Sequence, residues 1–295
     1  MAKCYLCGKE VNDNQWSKEH IIPNAIGGLL EDDHIYCRAC NMSHTKDDEY
    51  FSEIFASIIG NLKIKRDRVN KGMKYTGNLI DPETGKLYKA IYQSGEIITV
   101  KDENGDTIPY KEKFINRGLD FNLDNDIFRK GMAKIAFGYA AHCKIQREEM
   151  ELLFDCNTSQ FLKKIHLMPF IPMTFFDAVM ESGLDLELWH ALRIFNIESY
   201  LFVYIELFST FQYYVLISQN YRGKPIDQSY CNLIEKRDIT DEEKMEIKEA
   251  MIPYTPKDAH IIMQQYDIDY EKFINWLYES MGKENVSWEI IMKKL

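Results

Sequence analysis

The chain has 295 residues, 45% of them hydrophobic and 13% aromatic, which is enough for at least one full-sized core and leaves room for two domains. No run of about 18 apolar residues is present, and the opening MAKCYLCGKE has no apolar stretch leading to a small-residue cleavage site. These features argue against a membrane span or a secretory signal and make a cytoplasmic location the expectation. A formal net charge of -10 excludes indiscriminate attraction to nucleic acid, so any such role must use a local basic patch.

The first 46 residues are short, polar and punctuated by cysteine, as in a domain whose core is a metal. Four of the seven cysteines fall in two tight pairs, Cys4-x-x-Cys7 and Cys37-x-x-Cys40, and in a reducing compartment such pairs argue for a metal rather than disulfides. Each pair is a knuckle that presents two thiolates to one ion, and two knuckles complete a tetrahedral zinc site. Four thiolates close the coordination sphere, so this zinc is structural. The three isolated cysteines, Cys143, Cys156 and Cys231, read as small buried hydrophobes.

The 29 residues between Cys7 and Cys37 exceed the usual ribbon spacing of about 15 to 20, so the insert needs a purpose of its own. It contains SKEHIIPNAIGG, in which a short polar strand ends at Glu19-His20, breaks at Pro23 and loops through Gly27 and Gly28. Asn41 follows the second knuckle. A carboxylate and an amide oxygen are hard ligands suited to Mg2+ or Mn2+, and a neighbouring imidazole can act as a general base. Adjacent residues of a regular strand face opposite ways, so Glu19 and His20 serve one site only where the strand ends or twists.

Downstream, Phe51, Ile54, Phe55, Ile58, Ile59 and Leu62 fall at helical spacing and predict a helix leaving the cysteine region. The stretch NLKIKRDRVNKGMKY concentrates positive charge, and Lys63, Lys65, Arg66 and Arg68 are the candidate nucleic-acid contacts. From about 73 to 116 the turn signals DPETGK, QSGE and ENGD separate short strands, as in a β-meander. DNDIFRKGMAKIAFGYAAHCKI predicts a strongly apolar helix to about residue 145, SQFLKKI a short amphipathic helix, and HLMPFIPM an extended stretch. SYLFVYIELF and TFQYYVLISQ read as a buried hairpin in a central sheet, with their aromatics filling a core rather than stacking bases. The tail from about 239 reads as short helices opened by a Thr240/Glu243 capping pattern.

Taken together, CYLC, EHIIPNAIGG and CRACN resemble the HNH endonuclease family, over about the first fifth of the chain. That resemblance implies a ββα-metal fold in which Glu19 and Asn41 bind a catalytic Mg2+ or Mn2+, His20 is the general base, and the four cysteines hold structural Zn2+. His44, three residues after Asn41, is a candidate second ligand or phosphate contact. Where many members carry an asparagine that orients the base, EDDHIYC offers Asp32, Asp33 or His34, of which His34 is the expected orienting residue.

The expected fold class is α+β: an N-terminal zinc-stabilised HNH domain over 1–62, then a mixed α+β domain over 63–295 that ends in the helical tail. The expected function is hydrolysis of DNA phosphodiester bonds by a regulated effector of bacterial anti-phage defence, with DNA and either a regulatory protein or a second copy of the chain as partners, and no membrane. The rival expectation is a non-catalytic, zinc-stabilised adaptor that binds nucleic acid or protein.

Overall fold

The computed structural model describes residues 2–61, 74–93, 96–118, 123, 125–169, 189–208 and 211–234. The basic residues Lys63, Lys65, Arg66 and Arg68 and the expected helical tail lie outside these residues. The architecture is α+β, with every paired strand antiparallel to its neighbours. Among the described residues no helix is long and apolar enough to cross a membrane.

Strands β1 (Ala2–Lys3) and β2 (Glu10–Val11) flank the first knuckle, whose turn is closed by Cys4 N–H on the Lys9 carbonyl and Gly8 N–H on the Cys4 carbonyl. A longer hairpin follows, β3 (Trp16–His20) and β4 (Glu31–Cys37). In the connection, Gly27 takes the left-handed conformation at φ 96°. Gly28 runs so close to Ile22 that a Cβ would sit 2.0 Å from its carbonyl oxygen. Strand β4 then passes directly into helix α1 (Arg38–Ile54), with Cys37 as its N-cap. The helix breaks at Phe55, whose N–H turns back to the Ser52 carbonyl, and resumes as α2 (Ala56–Asn61). The expected apolar stripe therefore spans two helices, with Phe51, Phe55 and Ile59 buried.

Strands β5 (Lys74–Ile80), β6 (Leu87–Gln93), β7 (Glu96–Lys101), β8 (Thr107–Ile108) and β9 (Ile115–Gly118) form the expected meander in the order β8-β7-β6-β5-β9. Its own small core contains Leu79, Val100 and the stacked pair Tyr75–Tyr92, and it takes in Ala56 of α2.

Helix α3 (Asp126–His142) starts where the Asn125 side chain accepts the Phe128 N–H at 2.7 Å. It is buried almost continuously from Phe128 to Ala141, so it is a central helix rather than a surface one. Phe128 stacks on Phe51 of α1, and Phe137 stacks on Tyr36 of β4. Close approach of α1 is possible because residue 131 is glycine: a Cβ there would lie 2.0 Å from Phe51 Cδ2.

SQFLKKI is not helical. Gln160–Phe161 (β11) pairs with Phe154–Asp155 (β10) across a turn built on Asp155, which accepts the Asn157 N–H at 2.8 Å and the Thr158 hydroxyl at 2.9 Å. Such an Asp-centred turn outcompetes the helical period of the residues that follow it. Strands β12 (His166–Pro169), β13 (Trp189–Ile197), β14 (Tyr200–Leu207), β15 (Phe211–Ser218) and β16 (Asp227–Leu233) make the second sheet, in the order β12-β15-β14-β13-β16. The predicted aromatic hairpin, β14 and β15, sits buried at its centre. Leu192, Val203, Ile205, Val215 and Ile217 on one face join a core cluster that also contains α3, Phe51, Ile22 and Cys4.

Candidate active site

The sulfurs of Cys4, Cys7, Cys37 and Cys40 all lie within 4.8 Å of one another, and those of Cys7 and Cys37 are 4.0 Å apart. A tetrahedron of Zn–S bonds of about 2.3 Å needs sulfurs at about this separation, so the donor set fits structural zinc. The Cys37 N–H also points at Cys4 Sγ, 3.4 Å away, as expected for a knuckle that favours thiolate. A hydrogen bond from Cys40 pushes the Cys4 thiol down to about 4, while that same contact, and then burial, push Cys40 well up. Cys37 is at once a candidate ligand, the last residue of β4 and the first cap of α1, so an ion bound here would set where the helix begins.

That junction determines what stands near the end of β3. The β3–β4 ladder slips between Ser17 and Glu19, so that Asp32 lies opposite Glu19 and Glu31 opposite His20. On α1, Asn41 donates through Nδ2 to Ser17 Oγ at 2.8 Å, which ties the first helical turn to β3. The Glu19 carboxylate accepts from Lys134 Nζ of α3 at 2.6 Å, and the same ammonium hydrogen-bonds Asp48 of α1. Burial raises the Asp48 carboxyl to about 6, against the pull of Lys134. Burial also opposes the Lys134 charge, but the attraction of Asp48 and Glu19 outweighs it and holds this lysine above its ordinary value.

His20 ends β3, and its Nε2 lies 3.0 Å from Glu31 Oε1. Its Nδ1 is buried and has no hydrogen-bond partner among the described residues. Glu31 in turn pairs with Lys18, whose hydrogen bond holds the Glu31 carboxyl below its usual range. Among the described residues, Glu19, His20 and Asn41 make no hydrogen bond to one another. Their partners are Lys134, Glu31 and Ser17, respectively.

The remaining expected residues are placed as follows. His34 is exposed, pairs with the neighbouring Asp33 and lies with its ring 5.3 Å from that of Trp16. The side chain on the His20 ring is Glu31, the first residue of EDDHIYC, rather than His34. His44 is buried against Phe161, at 5.0 Å between ring centroids, with Nδ1 3.4 Å from Asp47. Burial pushes it toward the neutral form. The loop after His20 is held from the far sheet: His190 Nε2 lies 2.8 Å from the Ile26 carbonyl, and Asn232 Nδ2 donates to the Gly27 carbonyl at 3.1 Å.

Sequence reasoning missed Glu31, Asp48 and Lys134. Asp48 had a signal, since it stands two helical turns after Asn41. Lys134 had one as well, a lone charge within the apolar run GMAKIAFGYAA.

No curated protein and no solved structure matches the chain. Residues 4–55 match the family model described as HNH endonuclease. With the four thiols gathered inside that span, residues 4–55 carry a domain of the HNH endonuclease type.

Proposed function

We propose that the chain is a divalent-metal-dependent endonuclease that hydrolyses DNA phosphodiester bonds, with His20 as general base and Glu19 and Asn41 as oxygen ligands of a catalytic Mg2+ or Mn2+. The observation that carries this reading is the cysteine-clamped hairpin-to-helix unit, in which Asn41 of α1 is tied to Ser17, two residues before Glu19 on β3. The amide oxygen of Asn41 and the carboxylate of Glu19 are donors of the kind that a hard ion takes. When bound, that ion supplies Lewis-acid polarisation of the phosphate and stabilisation of the leaving oxygen.

The chain's own groups do the rest. The His20 tautomer that donates its Nε2 proton to Glu31 leaves Nδ1 as the bare acceptor for a proton from the attacking water. Glu31 then orients the ring and stabilises the imidazolium as it forms, as a carboxylate does behind a catalytic histidine. We assign the nuclease unit to residues 1–62 and substrate or partner recognition to 63–295, with Lys63, Lys65, Arg66 and Arg68 as phosphate contacts. A regulated defence effector fits this layout, because an acidic body disfavours casual DNA binding. The rival adaptor reading is favoured by one observation, the neutralisation of Glu19 by Lys134.

The test is plasmid nicking by the zinc-loaded chain with Mg2+ or Mn2+, beside His20→Ala and Glu31→Gln. Nicking that is lost in the first variant and reduced in the second supports the assignment. Equal nicking by wild type and His20→Ala, or none with either metal, defeats it.

A further inference from the structure

Glu19 and Asp48 come from different elements, β3 and α1, and converge on one cation. That cation is not free: it is the ammonium of Lys134, 2.6 Å from Glu19 Oε1 and hydrogen-bonded to Asp48 Oδ2, on a side chain only 8% exposed. Helix α3 lies outside the segment 4–55 that carries the HNH match, so the positive charge is delivered by another part of the chain. Its delivery is built in. Gly131, one turn before Lys134, lets α3 approach α1 closely enough for the short reach. Two carboxylates and one ammonium leave a single net negative charge where a divalent ion would need more.

We propose that Lys134 is an intramolecular competitor for Glu19, a resident counter-ion that sets how much divalent metal the site requires. This rests on the reading of Glu19 as a ligand of the catalytic metal. An ammonium hydrogen-bonded to a ligand oxygen occupies one of its lone pairs and repels an incoming cation. Even screened as in bulk water, an ammonium a few ångströms from a divalent ion is worth on the order of tenfold in its affinity. Asp48 is the second partner of the same ammonium and draws it partly away from Glu19. The two residues therefore push metal affinity in opposite directions. A purely structural role predicts otherwise, since loss of either partner would loosen the same contact and weaken binding.

The experiment is a Mn2+ titration of the zinc-loaded full chain, with free Mn2+ read by electron paramagnetic resonance, for wild type, Lys134→Gln, Lys134→Arg, Asp48→Asn and Glu19→Gln. Lys134→Gln should bind Mn2+ about tenfold more tightly. Lys134→Arg should bind like wild type, Asp48→Asn several-fold more weakly, and Glu19→Gln should lose the site. Unchanged or weaker binding by Lys134→Gln, or a shift of Lys134→Gln and Asp48→Asn in the same direction, overturns the proposal. Should Lys134→Gln fail to fold, Asp48→Asn still decides, because unchanged or tighter binding there is equally fatal. If wild type takes up no Mn2+, or Glu19→Gln binds as well as wild type, the ligand role of Glu19 falls and this inference with it. Binding through Glu19 that is indifferent to Lys134 removes the competitor alone.

Discussion

Replacing Gly131 with alanine adds one methyl group where α3 meets α1. It would stand 2.0, 2.4 and 2.5 Å from Cδ2, Cγ and Cε2 of Phe51, all far inside van der Waals contact. Phe51 has little freedom to yield: it is 1% exposed and held by the rings of Phe55 at 5.4 Å and Phe128 at 6.0 Å. Overpacking of this kind costs about 1 to 3 kcal/mol. Exchanging glycine for alanine inside a helix returns about 1 kcal/mol. A clash this deep belongs at the upper end of that range, so the net expectation is a loss of about 2 kcal/mol, seen as a lower urea midpoint at unchanged m and a melting temperature lower by a few degrees. Repeating the exchange in a Phe51→Leu background should shrink the loss, since the clash is with the ring itself, and the two substitutions should couple by more than about 0.5 kcal/mol. A neutral or stabilising Gly131→Ala, or strict additivity with Phe51→Leu, would refute the account of how the two helices touch.

The buried Glu206 carboxyl is raised to about 7 by burial, against the pull of the Tyr204 hydroxyl. The folded state therefore holds this proton more tightly than the unfolded chain, so the contribution of this group to stability is greatest below about pH 4 and falls as pH climbs toward 7, by about 3 kcal/mol for a shift of this size. Glu206→Gln should accordingly melt at a higher temperature than wild type at pH 8 and close to it at pH 4; an unchanged difference between the two pH values would count against it. Stripping zinc with a chelator, or Cys37→Ser, should lower the melting temperature and remove helix signal by circular dichroism, because Cys37 joins the ion to the start of α1. Full helix content after verified zinc loss would refute that coupling.

The features most legible in the sequence were those whose chemistry is local. The cysteine pairs, the Glu19-His20 strand end, the glycines of the loop, the turn-punctuated meander and the aromatic hairpin each state their geometry within a few residues. β13 and β16 were missed for contrasting reasons. In WHALRIFNI, His190, Leu192 and Ile194 on one face and Ala191 and Phe195 on the other are buried, so the strand lacks alternation, while DQSYCNL is a polar strand recruited by its neighbour. SQFLKKI was misread because the Asp155 turn just before it settles the chain direction. At the candidate site, Glu31 became visible only once the hairpin register was known, and Lys134 only once α3 was packed against α1. The first contact is a cross-strand pair within one hairpin, while the second is tertiary, and no spacing rule reaches across its 115 residues.

The carbonyls of Ile26 and Gly27, just beyond His20, take their hydrogen bonds from His190 and Asn232. A chimera that transplants residues 4–55 onto a foreign scaffold leaves both donors behind, and each carbonyl that the new body buries without a donor costs about 1 to 3 kcal/mol. Any recipient body, whether engineered or arising by gene fusion, must therefore furnish two polar side chains at the rim of this loop before the graft can hold its shape.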